Sequence, residues 1–142
     1  MRRVTQPPTP GARIAAGTLD DLLGFEFLGS TEESCRARFP VDDRVRQPFG
    51  LVHGGAYAAL AETMVSLATH VAVSQNGDFA VGQSNHTSFL RPVTAGSVHA
   101  DGRARHRGRT TWVWDVDFTD DEGRLCALSR VTLAVRPAPG GG

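Results

Sequence analysis

The chain of 142 residues contains no lysine: its fifteen basic residues are all arginine, and fifteen acidic residues bring the formal net charge to zero. A neutral chain has no charge excess with which to attract nucleic acid or an anionic membrane surface. The two cysteines, Cys35 and Cys126, are too far apart for a CxxC pair. We interpret them as buried, reduced side chains.

Several common functional motifs are also missing. The chain has no Walker loop, no Rossmann fingerprint and no GxSxG elbow, so nucleotide hydrolysis, dinucleotide binding and serine-hydrolase chemistry have little support. Its histidines lack metal-ligand spacing, and we expect neither a metal nor a cofactor. No apolar leader follows Met1 and no uninterrupted apolar run reaches membrane length, which predicts a cytoplasmic location.

The pattern along the chain predicts one α+β domain over residues 17–137, with flexible tails at 1–16 and 138–142. A helical turn capped by Thr18 precedes two strands, a long helix and four more strands with period-two alternation. The expected order β-β-α-β-β-β-β places one helix against an antiparallel sheet. The predicted strands cover 25–30, 33–40, 79–89, 96–106, 110–119 and 125–135, and the helix runs from Ala56 to about Val73.

The helix contains the main candidate for chemistry. It is apolar on nearly every face, which predicts burial all round, and Glu62 is the carboxylate within it. Ser66 lies one turn further on the same face. Glu62 could instead face solvent or form a structural ion pair, but no arginine lies at helical spacing from it. A carboxylate kept among apolar neighbours favours a functional role.

The start of the helix offers a second group. Free backbone N–H groups near His53 and Gly54 can stabilise a developing negative charge, although His53 could simply be a polar cap. Gly54 and Glu62 are eight residues apart, or about 12 Å along a helix axis. One helix therefore cannot bring both to the same carbon, which predicts a symmetric dimer with shared sites.

Arginines suggest where an anion would bind. Arg103 and Arg105 read as a solvated strand face that protects a sheet edge. The Arg107–Thr111 turn, with a glycine between arginines and hydroxyls, suits a phosphate group. Arg91, just past the end of a strand, is a further candidate.

Three segments together closely resemble the hotdog-fold acyl-CoA thioesterases. They are Gly50–Glu62, Ala80–Val93 and Thr110–Val116. The nearest match is the 4-hydroxybenzoyl-CoA thioesterase subtype that uses a glutamate, with phenylacetate-pathway thioesterases as wider kin. The resemblance implies a sheet wrapped around the central helix, and subunits paired into dimers and usually into homotetramers.

The same resemblance implies roles for individual residues. Glu62 would be the nucleophile or base, and Gly54 N–H would polarise the thioester carbonyl. Gln47 and His53 would shape that end of the site, and Ser66 would help to place water. Coenzyme A enters only as part of the substrate.

The CoA nucleotide would be held by Arg91 and by the pair Arg109 and Thr110. Two departures weaken this correspondence: Arg109 stands where the close relative has a small hydroxyl residue, and the Pro-Gly tail lacks a basic C-terminal residue.

The predicted reaction is hydrolysis of an acyl-CoA with an aromatic acyl group. The aromatic pocket would be lined by Phe49, Tyr57, Met64, Trp112 and Trp114, although the tryptophans could equally belong to the core. Two other functions remain open at this point. One is a hotdog hydratase or dehydratase, and the other is a non-catalytic acyl-CoA-binding protein.

Overall fold

The computed structural model describes residues 16–139, so most of the predicted flexible tails lies outside the described residues. The predicted order of elements is confirmed, and each predicted strand and the long helix begin and end within two residues of the structural bounds. The elements are α1 (Leu19–Leu22), β1 (Glu26–Ser30), β2 (Ser34–Pro40), α2 (Gly54–Ser74), β3 (Asp78–Phe89), β4 (Ser97–Arg107), β5 (Thr111–Thr119) and β6 (Leu125–Pro137).

The six strands form one antiparallel sheet in the order β1-β2-β4-β5-β6-β3. Helix α2 separates β2 from β3, and β3 joins the sheet at the edge opposite β1. β4 lies inside the sheet, so the predicted edge protection by Arg103 and Arg105 is wrong. Their solvated position is confirmed, and Arg105 lies 3.6 Å from Asp115 on the neighbouring strand.

The core forms between α2 and one face of the sheet. Alternate residues of β5 point into it, from Trp112 to Phe118, as the period-two pattern predicted. The indole N–H of Trp114 donates to the Thr69 hydroxyl at 2.9 Å, so this buried polar group is satisfied. The tryptophans and Met64 are therefore core residues and not pocket residues. Each contributes about 1.5–3 kcal/mol by burial.

Within one chain, α2 is not buried on every face. Glu62 is exposed and Ser66 is half-buried, because a single sheet covers only one side of a helix. By length and composition alone α2 would also pass as a membrane span, with a mean hydropathy of 1.3, yet half of that window is buried within the fold. One side of α2 is thus apolar because it packs on the sheet, and the opposite side is left uncovered within this chain.

Both cysteines are free and buried, as expected. Burial raises the pKa of the Cys35 thiol to about 12 and also raises the pKa of Cys126. Neither thiol ionises near neutral pH, which makes both poor nucleophiles.

Candidate active site

The loop before α2 is held in a fixed shape by its own backbone. Gln47 N–H donates to Leu51 O at 2.8 Å, and Gly50 N–H donates to Gln47 O at 2.9 Å. Gly50 has φ of +88°, a conformation that favours glycine. His53 N–H then donates to Val45 O at 2.7 Å. These bonds bring Gln47 next to the first turn of the helix.

His53 is the N-cap of α2, which confirms the simpler interpretation of its role. Its Nδ1 accepts a hydrogen bond from Gly55 N–H at 2.8 Å. The proton of the neutral ring is therefore on Nε2. Gly54 is the first residue of the helix, so its own N–H has no acceptor within α2. The cap satisfies the N–H of Gly55, and the N–H of Gly54 has no partner within the helix.

A cavity of about 520 Å³ opens at this helix start. It contains four of the predicted site residues, Gln47, His53, Gly54 and Arg91. The Gln47 side-chain oxygen accepts from Phe49 N–H, so its amide nitrogen is the part left to donate. The other lining residues are Leu51, Val52, Gly55, Tyr57, Phe89, Leu90, Pro92 and Val93. Phe49 is 89% exposed and does not line this cavity.

Strand β3 packs alongside the N-terminal half of α2. The Glu62 carboxylate lies against Gly82, where an added Cβ would be 3.0 Å from its Cδ. The Asn85 side chain donates to Ala58 O at 2.9 Å. The pairing of β3 with β6 also shifts between Gly82 and Ser84, and such bulges often adjoin active sites.

The structure separates the two proposed catalytic groups. Glu62 and Ser66 lie on α2 beyond the cavity that contains Gly54, and neither lines it. The eight-residue spacing corresponds to about 12 Å within one straight helix. Within one subunit, the carbonyl-polarising end and the carboxylate therefore do not meet.

Arg109 and Thr110 line a different cavity, of about 440 Å³, together with Asp78 and Arg136. Sequence reasoning missed Arg136. Its Nη1 donates to Thr110 O at 3.0 Å and to Val135 O at 2.8 Å, which fixes the guanidinium beside the predicted phosphate pair. Arg136 could have been predicted from the expected antiparallel pairing of β5 with β6, which places the last residues of β6 next to the turn between β4 and β5. Arg107 instead contacts Glu32 and Glu33, at 3.3 and 3.5 Å.

Tyr57 is a further titratable residue that lines the cavity at the helix start. It is 3% exposed, and its hydroxyl has no hydrogen-bond partner among the described residues. Burial, followed by the neighbouring Cys126, raises the pKa of the phenol. Tyr57 therefore remains protonated and cannot act as a general base near neutral pH.

A third cavity, of about 480 Å³, lies where Ser84, Arg103, Asp115, Leu128 and Arg130 meet, and contains none of the predicted site residues. Arg130 donates to Asp115 through two nitrogens, at 2.8 and 3.0 Å. This bond lowers the pKa of the Asp115 carboxyl. Asp115 is therefore held in an ion pair.

A sequence profile described as the thioesterase superfamily matches residues 49–127, which include Gly54, Glu62 and β3. The chain belongs to the thioesterase superfamily.

Its relatives are named accordingly. The proofreading thioesterase EntH of Cronobacter turicensis is 40% identical over 85% of this chain and 88% of its own length. The structure of thioesterase HI1161 from Haemophilus influenzae has a TM-score of 0.83 and 37% identity, over 89% of this chain and 87% of that one. A variant of thioesterase PA1618 from Pseudomonas aeruginosa has a TM-score of 0.81 and 41% identity, over 85% and 87%.

These similarities confirm the hotdog fold and the reaction class. The chain is a thioester hydrolase, and the comparisons support this class over a hydratase or a non-catalytic binding protein.

Proposed function

We propose that this thioesterase hydrolyses acyl-CoA thioesters with an aromatic acyl group, in sites shared between two subunits. The observation that carries the proposal is the position of Glu62. Its exposed carboxylate rests against Gly82 on the sheet's edge strand, about 12 Å along the helix from the free N–H of Gly54. Each subunit thus presents two half-sites at different points along α2.

The edge strand β3 supplies the contact between subunits. Residues 81–86 of β3 are all exposed, and the strand is twelve residues long with no proline or lysine to discourage pairing. An edge of this kind is a template for another strand. Antiparallel pairing of two β3 strands about a two-fold axis brings the helices alongside each other in opposite directions. Gly54 of one subunit then faces Glu62 of the partner subunit.

In the proposed reaction the thioester oxygen accepts from Gly54 N–H and from the amide of Gln47. The partner subunit's Glu62 attacks the acyl carbon, the carbon–sulfur bond breaks, and CoA leaves as a thiolate that takes a proton from solvent. Water then cleaves the acyl-glutamate anhydride and restores the carboxylate. Alternatively, Glu62 accepts a proton from a water that attacks directly. Ser66, one turn beyond Glu62, is positioned to hold that water.

The nucleotide end of CoA is assigned to three arginines that have no carboxylate partner within residues 16–139. Arg91 lines the catalytic cavity, and Arg109 lies with Thr110 and Arg136 in the second cavity. Guanidinium groups suit phosphate through paired N–H donors. Arg136 takes the place of the basic C-terminal residue that this chain lacks.

The first test is release of free thiol from aroyl-, arylacetyl- and straight-chain acyl-CoAs. Glu62→Gln keeps the size of the side chain and removes its charge, so the rate should fall by about a thousandfold or more while substrate still binds. Gly54→Pro removes the N–H and also adds a Cβ that crowds the Phe89 ring. The fold should tolerate it, because proline suits the first helical position and the preceding His53 is already extended. Gly54→Ala is its control, since it adds a Cβ but keeps the N–H. If Glu62→Gln is as fast as wild type, Glu62 is not the catalyst.

Subunit mixing tests whether the sites are shared. Glu62→Gln and Gly54→Pro should each be inactive alone. If each site joins two subunits, mixed dimers regain one intact site, and random mixing restores about a quarter of the wild-type rate. If each site lies within one subunit, mixing restores nothing.

The similarity to proofreading thioesterases favours one alternative, that the thiol carrier is a protein and not CoA. Comparing the same aroyl group on CoA and on pantetheine separates the two. If Arg109 and Arg136 bind nucleotide phosphates, KM should rise about tenfold or more for the pantetheine ester, and Arg136→Gln should raise KM only for the CoA ester. Equal KM values would favour a protein-bound substrate.

A further inference from the structure

Phe89 lies directly on the helix start. A Cβ built on Gly54 would meet the ring of Phe89 at 2.6 Å from Cζ and 2.8 Å from Cε1. The tip of the ring therefore touches the backbone of the residue whose N–H is free. Phe89 is the last residue of β3, so the same strand that supports Glu62 at one end covers Gly54 at the other.

The ring is anchored on its inner side and open on its outer side. Tyr57 lies behind it, with ring centroids 6.1 Å apart, and Tyr57 in turn packs edge-on against the buried Phe118 at 5.2 Å. Phe89 itself is 59% exposed and lines the cavity. An exposed aromatic ring backed by a rigid aromatic cluster forms a flat wall that a ligand can contact.

This wall constrains what can bind. The Cβ direction of a helical residue tilts toward the helix N-terminus, the end to which the free N–H of Gly54 also points. A carbonyl oxygen that accepts from Gly54 N–H, and the acyl group attached to it, therefore approach from the side on which the Phe89 ring lies. A planar acyl group can lie against the ring. An acyl group branched at its first, tetrahedral carbon projects a substituent into the ring and has to move it.

We propose that Phe89 is a specificity-determining residue that selects acyl groups planar at the carbon next to the thioester carbonyl, such as benzoyl groups. This inference rests on the proposed function. The motif that contains Gly54 and Glu62 does not predict this selectivity, because Phe89 lies 35 residues further along the chain than Gly54, at the end of β3.

The test is the ratio of kcat/KM values for benzoyl-CoA and cyclohexanecarbonyl-CoA, whose ring has the same number of carbons but a branched, tetrahedral first carbon. Phe89→Leu removes the flat ring and keeps an apolar side chain, so the ratio should fall by about tenfold, the effect of one aromatic contact. Leu128→Ala is the control, because Leu128 is an exposed apolar residue that lies away from this cavity. Its ratio should equal that of wild type.

A binding measurement separates selectivity from chemistry. Phenacyl-CoA has a methylene between carbonyl and sulfur and cannot be hydrolysed. Its affinity for Glu62→Gln should fall when Phe89→Leu is added, whereas the affinity of the corresponding cyclohexyl ketone should not. An equal loss for both substrates and both analogues, or an unchanged ratio, would overturn the role of Phe89. Absence of thiol release from every ester by the wild type would instead overturn the proposed function.

Discussion

Gly82→Ala is the substitution that tests the site geometry most directly. The added methyl group would overlap Oε1 of Glu62 and lie 3.0 Å from Cδ and 3.3 Å from Cγ. Ordinary contact begins near 3.4 Å, so the carboxylate has to retreat by more than about 1 Å. Misplacing a reacting group by that distance can cost about a hundredfold in rate.

The effect on stability should have the opposite sign. Gly82 has an ordinary backbone conformation, and alanine in a strand is about 0.5–1 kcal/mol more favourable than glycine. We therefore expect Tm to stay the same or rise slightly while kcat for thiol release falls about a hundredfold. The apparent mass in solution should match that of wild type, which excludes a loss of subunit pairing.

Gly77→Ala is the matched control. Gly77 has φ of +77° and nothing within 4 Å of the added Cβ, so this change strains the backbone without touching the site. Tm should fall and kcat at low temperature should remain. If Gly82→Ala keeps full kcat, the carboxylate that rests on Gly82 is not the catalytic group, and the reasoning is refuted.

Three further outcomes are expected. Asparagine is a good N-cap, so His53→Asn should keep Tm near wild type while His53→Ala loses about 1 kcal/mol, and matching thermal melts would contradict the cap. Gln83 has no partner on β6, because it lies in the bulge of β3. Proline there removes a backbone N–H that a second β3 strand would need, so Gln83→Pro should leave the subunit folded but monomeric and inactive. Light scattering measures the mass, and a dimer would exclude pairing through β3. Arg130 lowers the pKa of Asp115, so this pair stabilises the fold above the unfolded value of about 4 and is lost as pH falls through the lower folded value. Below about pH 4 the melting temperature of wild type should therefore fall more steeply than that of Asp115→Asn. The difference should be small, because both groups are partly exposed, and parallel curves would contradict this.

Local sequence determined the elements and the helix start. Alternation over 111–119 was enough to identify the buried face of β5, because side chains of a strand point to opposite sides with period two. The cap of α2 was equally predictable, since His53 bonds to a residue only two positions away. The glutamate and glycine were found because both belong to one continuous helix.

Tertiary structure decided what surrounds those residues. The sequence suggested that Glu62 was buried, yet the sheet covers only one side of α2 and leaves the carboxylate exposed beside Gly82. The contact of Phe89 with Gly54 and the position of Arg136 beside Thr110 join residues 35 and 26 positions apart. Helix propensity and strand alternation extend over a few residues only, whereas strand order and register place distant residues together. The chemical character of these groups could therefore be predicted from the sequence. Their neighbours depend on the packing of α2 against β3 and on the pairing of β6 with β5.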